Sequence, residues 1–172
     1  MEAMAMTGAA TRPGLRMLTS AGGLVLLAQG VAAATSEQHD RYAGSTGDLL
    51  SDGLLGAGLL LTLAGLERLR RRLSPRMAGL AIAGQVALVV SILATVAAGH
   101  EVLDAVFIGG TLAWIAGLAG VAIAAARTRE RTWRPAVALP LVGLVALAFA
   151  DAGGAALLGL VWLVLGTRAA QQ

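Results

Sequence analysis

Long apolar runs alternate with short charged segments along the chain, and this pattern occurs six times. Each run is continuous, and β-branched and aromatic residues are sparse, so the runs predict helices rather than the strands of a barrel. About 20 helical residues cross a hydrocarbon layer about 30 Å thick. The predicted spans cover residues 17–34, 49–66, 77–99, 103–126, 136–150 and 153–167.

The fifth and sixth runs are the shortest, with about 15 residues each, and Asp151 separates them. One continuous helix through 136–167 would bury this carboxylate near mid-membrane, at a cost of about 2.5–3.5 kcal/mol. We therefore predict a tight helical hairpin that turns at Asp151. A re-entrant hairpin, which would enter and leave the membrane on the side of Arg168, is the alternative.

Charged residues are distributed unequally between the two predicted sides of the membrane. Twelve arginines and three acids fall on one side, which gives it a formal charge of +9. Arg41 and seven acids fall on the other side, which gives it −6 and accounts for the net charge of +3. The positive-inside rule makes the arginine-rich side cytoplasmic, with the N- and C-termini both inside.

The first run also fits a second interpretation. Arg12 and Arg16 precede it, and three alanines at 32–34 stand before Thr35, which is the pattern of a cleavable secretion signal. Cleavage would leave five spans and an N-terminus outside the cell. The remaining arginines keep the same side in both interpretations, so their positions do not decide between them.

A sequence repeat links two of the runs. Residues 47–66 align with residues 99–118 without a gap, and seven of the twenty positions are identical, including three glycines and the pair Asp52 and Asp104. The alignment predicts helical hairpins in parallel orientation, related about the membrane normal. The segment that begins at Asp151 resembles a weak third copy.

Composition places the chain in the membrane class. It is 57% hydrophobic and 13% charged, whereas a soluble domain has about 25% charged residues. Soluble, disordered and fibrous chains are thereby excluded, and we expect residues 1–172 to form a single integral membrane domain.

Arginine without lysine, together with abundant alanine, glycine and leucine, is typical of a high-GC bacterial genome and predicts the bacterial inner membrane. The arginines lie at the membrane margins, so they indicate the lipid bilayer and not nucleic acid as the partner.

Acidic residues near the starts of the even-numbered spans are the first candidate site. If Asp52, Asp104 and Asp151 converge, their carboxylates could line an outward-facing cation or proton site. His100 and Asp104 are four residues apart and share a helix face, and Asp48 and Asp52 repeat this spacing. The competing interpretation is structural, since an acid in the first turn of a helix is stabilised by about 0.3–1 kcal/mol.

Polar residues inside the spans are the second feature, namely Gln29, Gln85 and Ser91. They either line a polar path or bond across helices and hold them together, and we favour the second interpretation. Small residues spaced four apart, as Ala113 with Gly117 and Ala116 with Gly120 in the fourth span, permit close helix approach within or between chains.

No chemistry of a known enzyme class can be assembled from these residues. The chain has no cysteine, only two histidines, and no nucleotide-binding glycine loop. We therefore assign no catalytic residue, no metal and no cofactor. The favoured function is a small transport or ligand- or ion-binding membrane subunit with an acidic outward-facing mouth. The alternative is a non-catalytic assembly subunit that packs against another membrane protein or a second copy, and a membrane-embedded enzyme ranks third.

Overall fold

The computed structural model describes residues 13–35, 46–98, 102–128, 131–149 and 152–168, without the side chains of 13 and 46–49. These residues contain helices and turns and no strand. A 3-10 helix, Arg131–Ala138, runs directly into the fifth α-helix. The α-helices are α1 Pro13–Thr35, α2 Thr46–Arg72, α3 Pro75–Ala98, α4 Asp104–Arg127, α5 Leu139–Ala148 and α6 Ala155–Arg168.

Four of these helices, α1 to α4, are long and apolar enough to cross a membrane. The prediction of an all-helical bundle with apolar helices of membrane-spanning length is confirmed at this level. The predicted apolar span 49–66 lies within α2, which begins at Thr46 and continues beyond the apolar run to Arg72. Its last turn is stabilised by Glu67, which accepts hydrogen bonds from Arg70 and Arg71 at helical spacing.

The helices form a closed ring in which each one packs antiparallel to the next and α6 returns to α1. Gly166 lies against Ser20 at one end of the α1–α6 pair, and Gly153 lies against Ala34 at the other. α6 and the turn before it therefore accompany α1 over about 20 Å. Two tryptophans that are each 1% exposed, Trp114 and Trp162, occupy the interior of the ring.

A turn separates α5 from α6, so a single helix through 136–167 is excluded. The amide of Gly154 donates to the carbonyl of Phe149 at 2.7 Å, and Gly153 adopts a φ of 88°. Only glycine takes this left-handed conformation without strain. The turn lies where the hairpin was predicted, although Asp151 itself is outside the described residues.

The segment before this turn combines the 3-10 helix with α5, and its apolar part begins at Pro135, after Arg131 and Arg134. A 3-10 helix rises about 2.0 Å per residue, so residues 135–138 contribute about 8 Å and α5 another 15 Å or so. The combined apolar length of about 23 Å is shorter than a hydrocarbon layer about 30 Å thick. Pro135 lies inside the 3-10 helix and has no amide hydrogen to donate, which disfavours regular α-helix there.

The sequence repeat reappears as a repeat of packing contacts. α2 lies against α1, and α4 lies against α3, through glycines whose missing Cβ atoms would meet the neighbouring helix. Three contacts of the first hairpin have counterparts at matching positions of the second. The pairs are Thr19–Gly65 with Ala81–Gly117, Gly22–Thr62 with Gly84–Trp114, and Leu26–Gly58 with Leu88–Gly110.

The antiparallel ring brings the described arginines together at one end, here called the arginine end. The opposite end, which contains Asp52 and Asp104, is called the acid end. Gly117 and Gly120 of α4 pack against Ala81 and Met77 of α3, so this small-residue face is filled within the chain. The arginine end comprises Arg16, Arg68, Arg70, Arg71, Arg72, Arg76, Arg127, Arg131, Arg134 and Arg168.

Candidate functional site

A polar network crosses the middle of the bundle and is fully bonded. Gln85 of α3 accepts a hydrogen bond from the indole nitrogen of Trp114 at 2.9 Å and donates to the hydroxyl of Thr62 at 2.9 Å. Gln85 also donates to the carbonyl of Leu59, which accepts a second bond from Thr62. These bonds join α2, α3 and α4, as the helix-adhesion interpretation of Gln85 predicts. Each polar side-chain atom of Gln85, Thr62 and Trp114 therefore has a partner within the bundle.

Gln29 of α1 has a different environment, nearer the acid end. Its Nε2 donates to the hydroxyl of Ser51 on α2 at 3.0 Å. Its Oε1 is buried and has no hydrogen-bond partner in the described part of the chain, although the side chain is only 3% exposed. A buried amide oxygen without a donor loses its hydration without compensation, which is unusual in a folded protein. This oxygen carries a partial negative charge and is available to coordinate a cation.

Asp52 directly follows Ser51 and continues the inward-facing side of α2. It lies three residues before Leu55 and seven before Leu59, a spacing that keeps all three on one helix face. Leu59 is buried and Leu55 packs against the core, whereas Asp52 is half-buried. Because α2 starts at Thr46, Asp52 is its seventh residue, beyond the first turn with its unpaired amides. The helix-start explanation therefore does not account for Asp52.

Asp104 fits the structural interpretation instead. It is exposed and is the first residue of α4, where a carboxylate is stabilised by the positive end of the helix. Leu103 before it has a left-handed φ of 63°, and its carbonyl accepts hydrogen bonds from the amides of Val106 and Phe107. The repeat thus aligns Asp52 with Asp104, but the two carboxylates have different surroundings.

The other predicted site residues are not tested by the structure. His100 and Asp151 lie outside the described residues, and so does the side chain of Asp48. Within the described ranges, no group of three or more histidine, cysteine, aspartate or glutamate side chains is placed to hold a metal ion. The convergence of three aspartates therefore stays a prediction.

Arg68 is a residue that the sequence pattern did not distinguish from the other arginines of the loop. It is 8% exposed, and its guanidinium lies 5.7 Å from the centre of the Trp133 ring. Leu66 and Leu69 on either side are also buried, so the end of α2 is packed on more than one face. The available sequence signal was Leu69, which continues the apolar pattern past the predicted span end at Leu66 and so places Arg68 between two apolar residues.

Comparison of the chain with protein-family models, with curated protein sequences and with solved structures found no match. Function is therefore inferred from the arrangement of residues in this chain.

Proposed function

We propose that the chain is a multi-pass protein of the bacterial inner membrane with six spans, and that the arginine end faces the cytoplasm with both termini. The positive-inside rule supports this orientation, because the described arginines all lie at one end of the bundle. The turn between α5 and α6, and the position of α6 along α1 over about 20 Å, support two further crossings beside the four long helices.

We further propose that the protein binds a monovalent cation at its acid end and serves as a small transport subunit. The observation that carries this proposal is the buried, unpartnered Oε1 of Gln29 beside Ser51. An amide oxygen, a hydroxyl oxygen and the carboxylate of the next residue, Asp52, are hard ligands of the kind that bind hard cations. One carboxylate balances one positive charge, which favours a monovalent ion.

The location of these groups also supports a role in transport. They lie between α1 and α2 at the outward-facing end, where an ion can enter from the periplasmic side. Placing an ionisable residue within the membrane costs free energy, and residues that are kept there usually belong to ion or proton pathways. Asp104, which is exposed at the start of α4, is assigned a smaller part in the acidic mouth.

Thermal unfolding of the purified protein in detergent tests the binding site. A ligand at about 100 times its Kd stabilises the folded state by about 2.7 kcal/mol, which corresponds to a rise in Tm of about 5–10 °C for a chain of this size. We expect this rise in sodium or potassium chloride relative to choline chloride at equal ionic strength. It should be absent in Asp52→Asn and in Gln29→Leu.

Glu67→Gln is the matched control, because it removes one carboxylate from the same helix at the arginine end. It should keep the cation-dependent rise in Tm. Flux of the same cations into proteoliposomes then tests transport. A wild-type Tm that does not depend on the cation, or an unchanged rise in Asp52→Asn, would contradict the binding site. Binding without any flux would contradict the transport role.

A further inference from the structure

The side chain of Arg68 is largely buried, at 8% exposed, and its guanidinium has no carboxylate partner among the described residues. The carboxylate next to it in sequence, Glu67, accepts from Arg70 at 2.5 Å and from Arg71 at 2.7 Å. Glu67 is also the only acid at the arginine end whose side chain is described. A buried charge is strongly disfavoured unless it is paired and hydrogen-bonded. Stacking on Trp133 supplies part of the stabilisation, but an aromatic face does not neutralise the charge.

Other cations surround Arg68 and increase its need for an anion. The positive charges of Arg16, on α1, and Arg72, one turn further along α2, both act on it electrostatically. Arg16 is half-buried, and its Nε lies beneath the protein surface. Thr19 of α1 packs against Gly65 of α2, so Arg16 and Arg68 both lie about one turn beyond this contact, and Arg72 lies one turn beyond Arg68. Three guanidinium groups from two helices are therefore placed at the same end of the α1–α2 pair, each with several N–H donors in a planar fork. This donor geometry suits the oxygens of a phosphate group.

The surroundings of this region combine a basic opening with apolar surface. Arg72 also lines an open crevice of about 360 Å³ at the turn between α2 and α3, together with Arg70, Arg71, Leu73 and Pro75. Met17 and Leu18 follow Arg16 on α1 and are 73% and 44% exposed. A ligand with an anionic head and hydrocarbon chains would therefore meet guanidinium groups and apolar side chains at adjacent positions.

We propose that Arg68, Arg16 and Arg72 form a binding site for the phosphate of an anionic phospholipid at the arginine end of the bundle. The lipid phosphate provides the negative charge that Arg68 lacks, and the acyl chains lie along the exposed apolar residues of α1. Basic pockets between membrane helices are a known mode of recognition for anionic headgroups. The site is separate from the cation site at the acid end and does not depend on it.

Native mass spectrometry of the full-length protein, delipidated in detergent, tests this proposal. Phosphatidylglycerol and phosphatidylcholine with identical acyl chains are added in separate titrations, and inorganic phosphate in a third. We expect the wild-type protein to bind phosphatidylglycerol about tenfold more tightly than phosphatidylcholine, because both lipids carry the phosphate but the quaternary ammonium of choline is repelled by the three guanidinium groups. Arg68→Gln should abolish this preference.

Arg168→Gln is the charge-matched control, since Arg168 is exposed at the same end of the bundle. It should retain the preference for phosphatidylglycerol. If Arg68→Gln does not fold, Arg16→Gln provides the second variant and should lose the preference in the same way. Equal losses in Arg68→Gln and Arg168→Gln would show diffuse attraction to the whole basic surface and would overturn the site. Inorganic phosphate that displaces the lipid at comparable concentration would show a site for a free anion and would overturn the lipid assignment.

Discussion

Replacement of Gln85 by leucine tests whether the central polar network holds the bundle together. The change retains most of the side-chain volume and removes three hydrogen bonds, which involve Trp114, Thr62 and the carbonyl of Leu59. Hydrogen bonds in membrane proteins contribute about 0.6 kcal/mol each on average, which gives about 2 kcal/mol for three. The buried indole N–H of Trp114 is left without an acceptor and adds about 1 kcal/mol. We therefore expect a loss of about 3 kcal/mol.

Equilibrium unfolding in mixed detergent micelles with increasing dodecyl sulfate, followed by tryptophan fluorescence, measures this loss. Val86→Leu is the control, because Val86 is adjacent to Gln85 but 42% exposed, and its change should stay within about 0.5 kcal/mol. A double-mutant cycle with Trp114→Phe isolates the Gln85–Trp114 bond, for which we expect a coupling of about 1 kcal/mol. Equal stability of Gln85→Leu and the wild type would refute the assignment of the network as the main polar link between α2, α3 and α4.

Three further substitutions, with Gly109→Ala as a control, test a helix contact, the turn before α6 and the ion pairs of Glu67. Gly117→Ala would place a Cβ against the backbone of Ala81 and should cost about 1–3 kcal/mol in the same unfolding assay, whereas Gly109→Ala, with open space around it, should not destabilise the protein. Gly153→Ala should cost at least about 1–2 kcal/mol, because φ is 88° there; a neutral result would show that the turn before α6 adopts another conformation. Glu67→Gln should change the unfolding free energy by less than about 1 kcal/mol, since its arginine partners are largely exposed, and a larger loss would show that these ion pairs are not solvent-screened.

The length of each apolar run predicts the helices of this protein well. A continuous apolar stretch in a chain with few charges can satisfy its backbone hydrogen bonds only as a helix. The boundaries were less predictable at the arginine end. The charged pair Glu67 and Arg68 ends the apolar run, yet α2 continues to Arg72. Glu67 pairs with Arg70 and Arg71, and Arg68 stacks on Trp133, so the charged residues stabilise the added turns. The 3-10 helix was also unexpected, since its hydrogen-bond pattern leaves no periodic signature in eight residues.

The candidate site was only partly predictable. The repeat singled out Asp52 and Asp104 as equivalent, and the spacing alone could not distinguish them. Their difference arises because α2 starts six residues before Asp52, whereas α4 starts at Asp104 itself. The second residue of the proposed cation site, Gln29, lies on α1, 23 residues before Asp52. Its contact with Ser51 depends on how α1 and α2 pack. Such pairing between helices is determined by the register of small residues, which sequence patterns specify weakly.

The most direct test of the proposed function is the position of a bound ion. Crystals of the protein soaked in thallium(I), an electron-rich substitute for potassium, would reveal a monovalent cation by its anomalous scattering. The account predicts a peak between α1 and α2, within coordination distance of the Oε1 of Gln29 and the carboxylate of Asp52, and no such peak in Asp52→Asn. Wild-type crystals with no thallium at this position, under conditions in which the ion stabilises the protein, would contradict it.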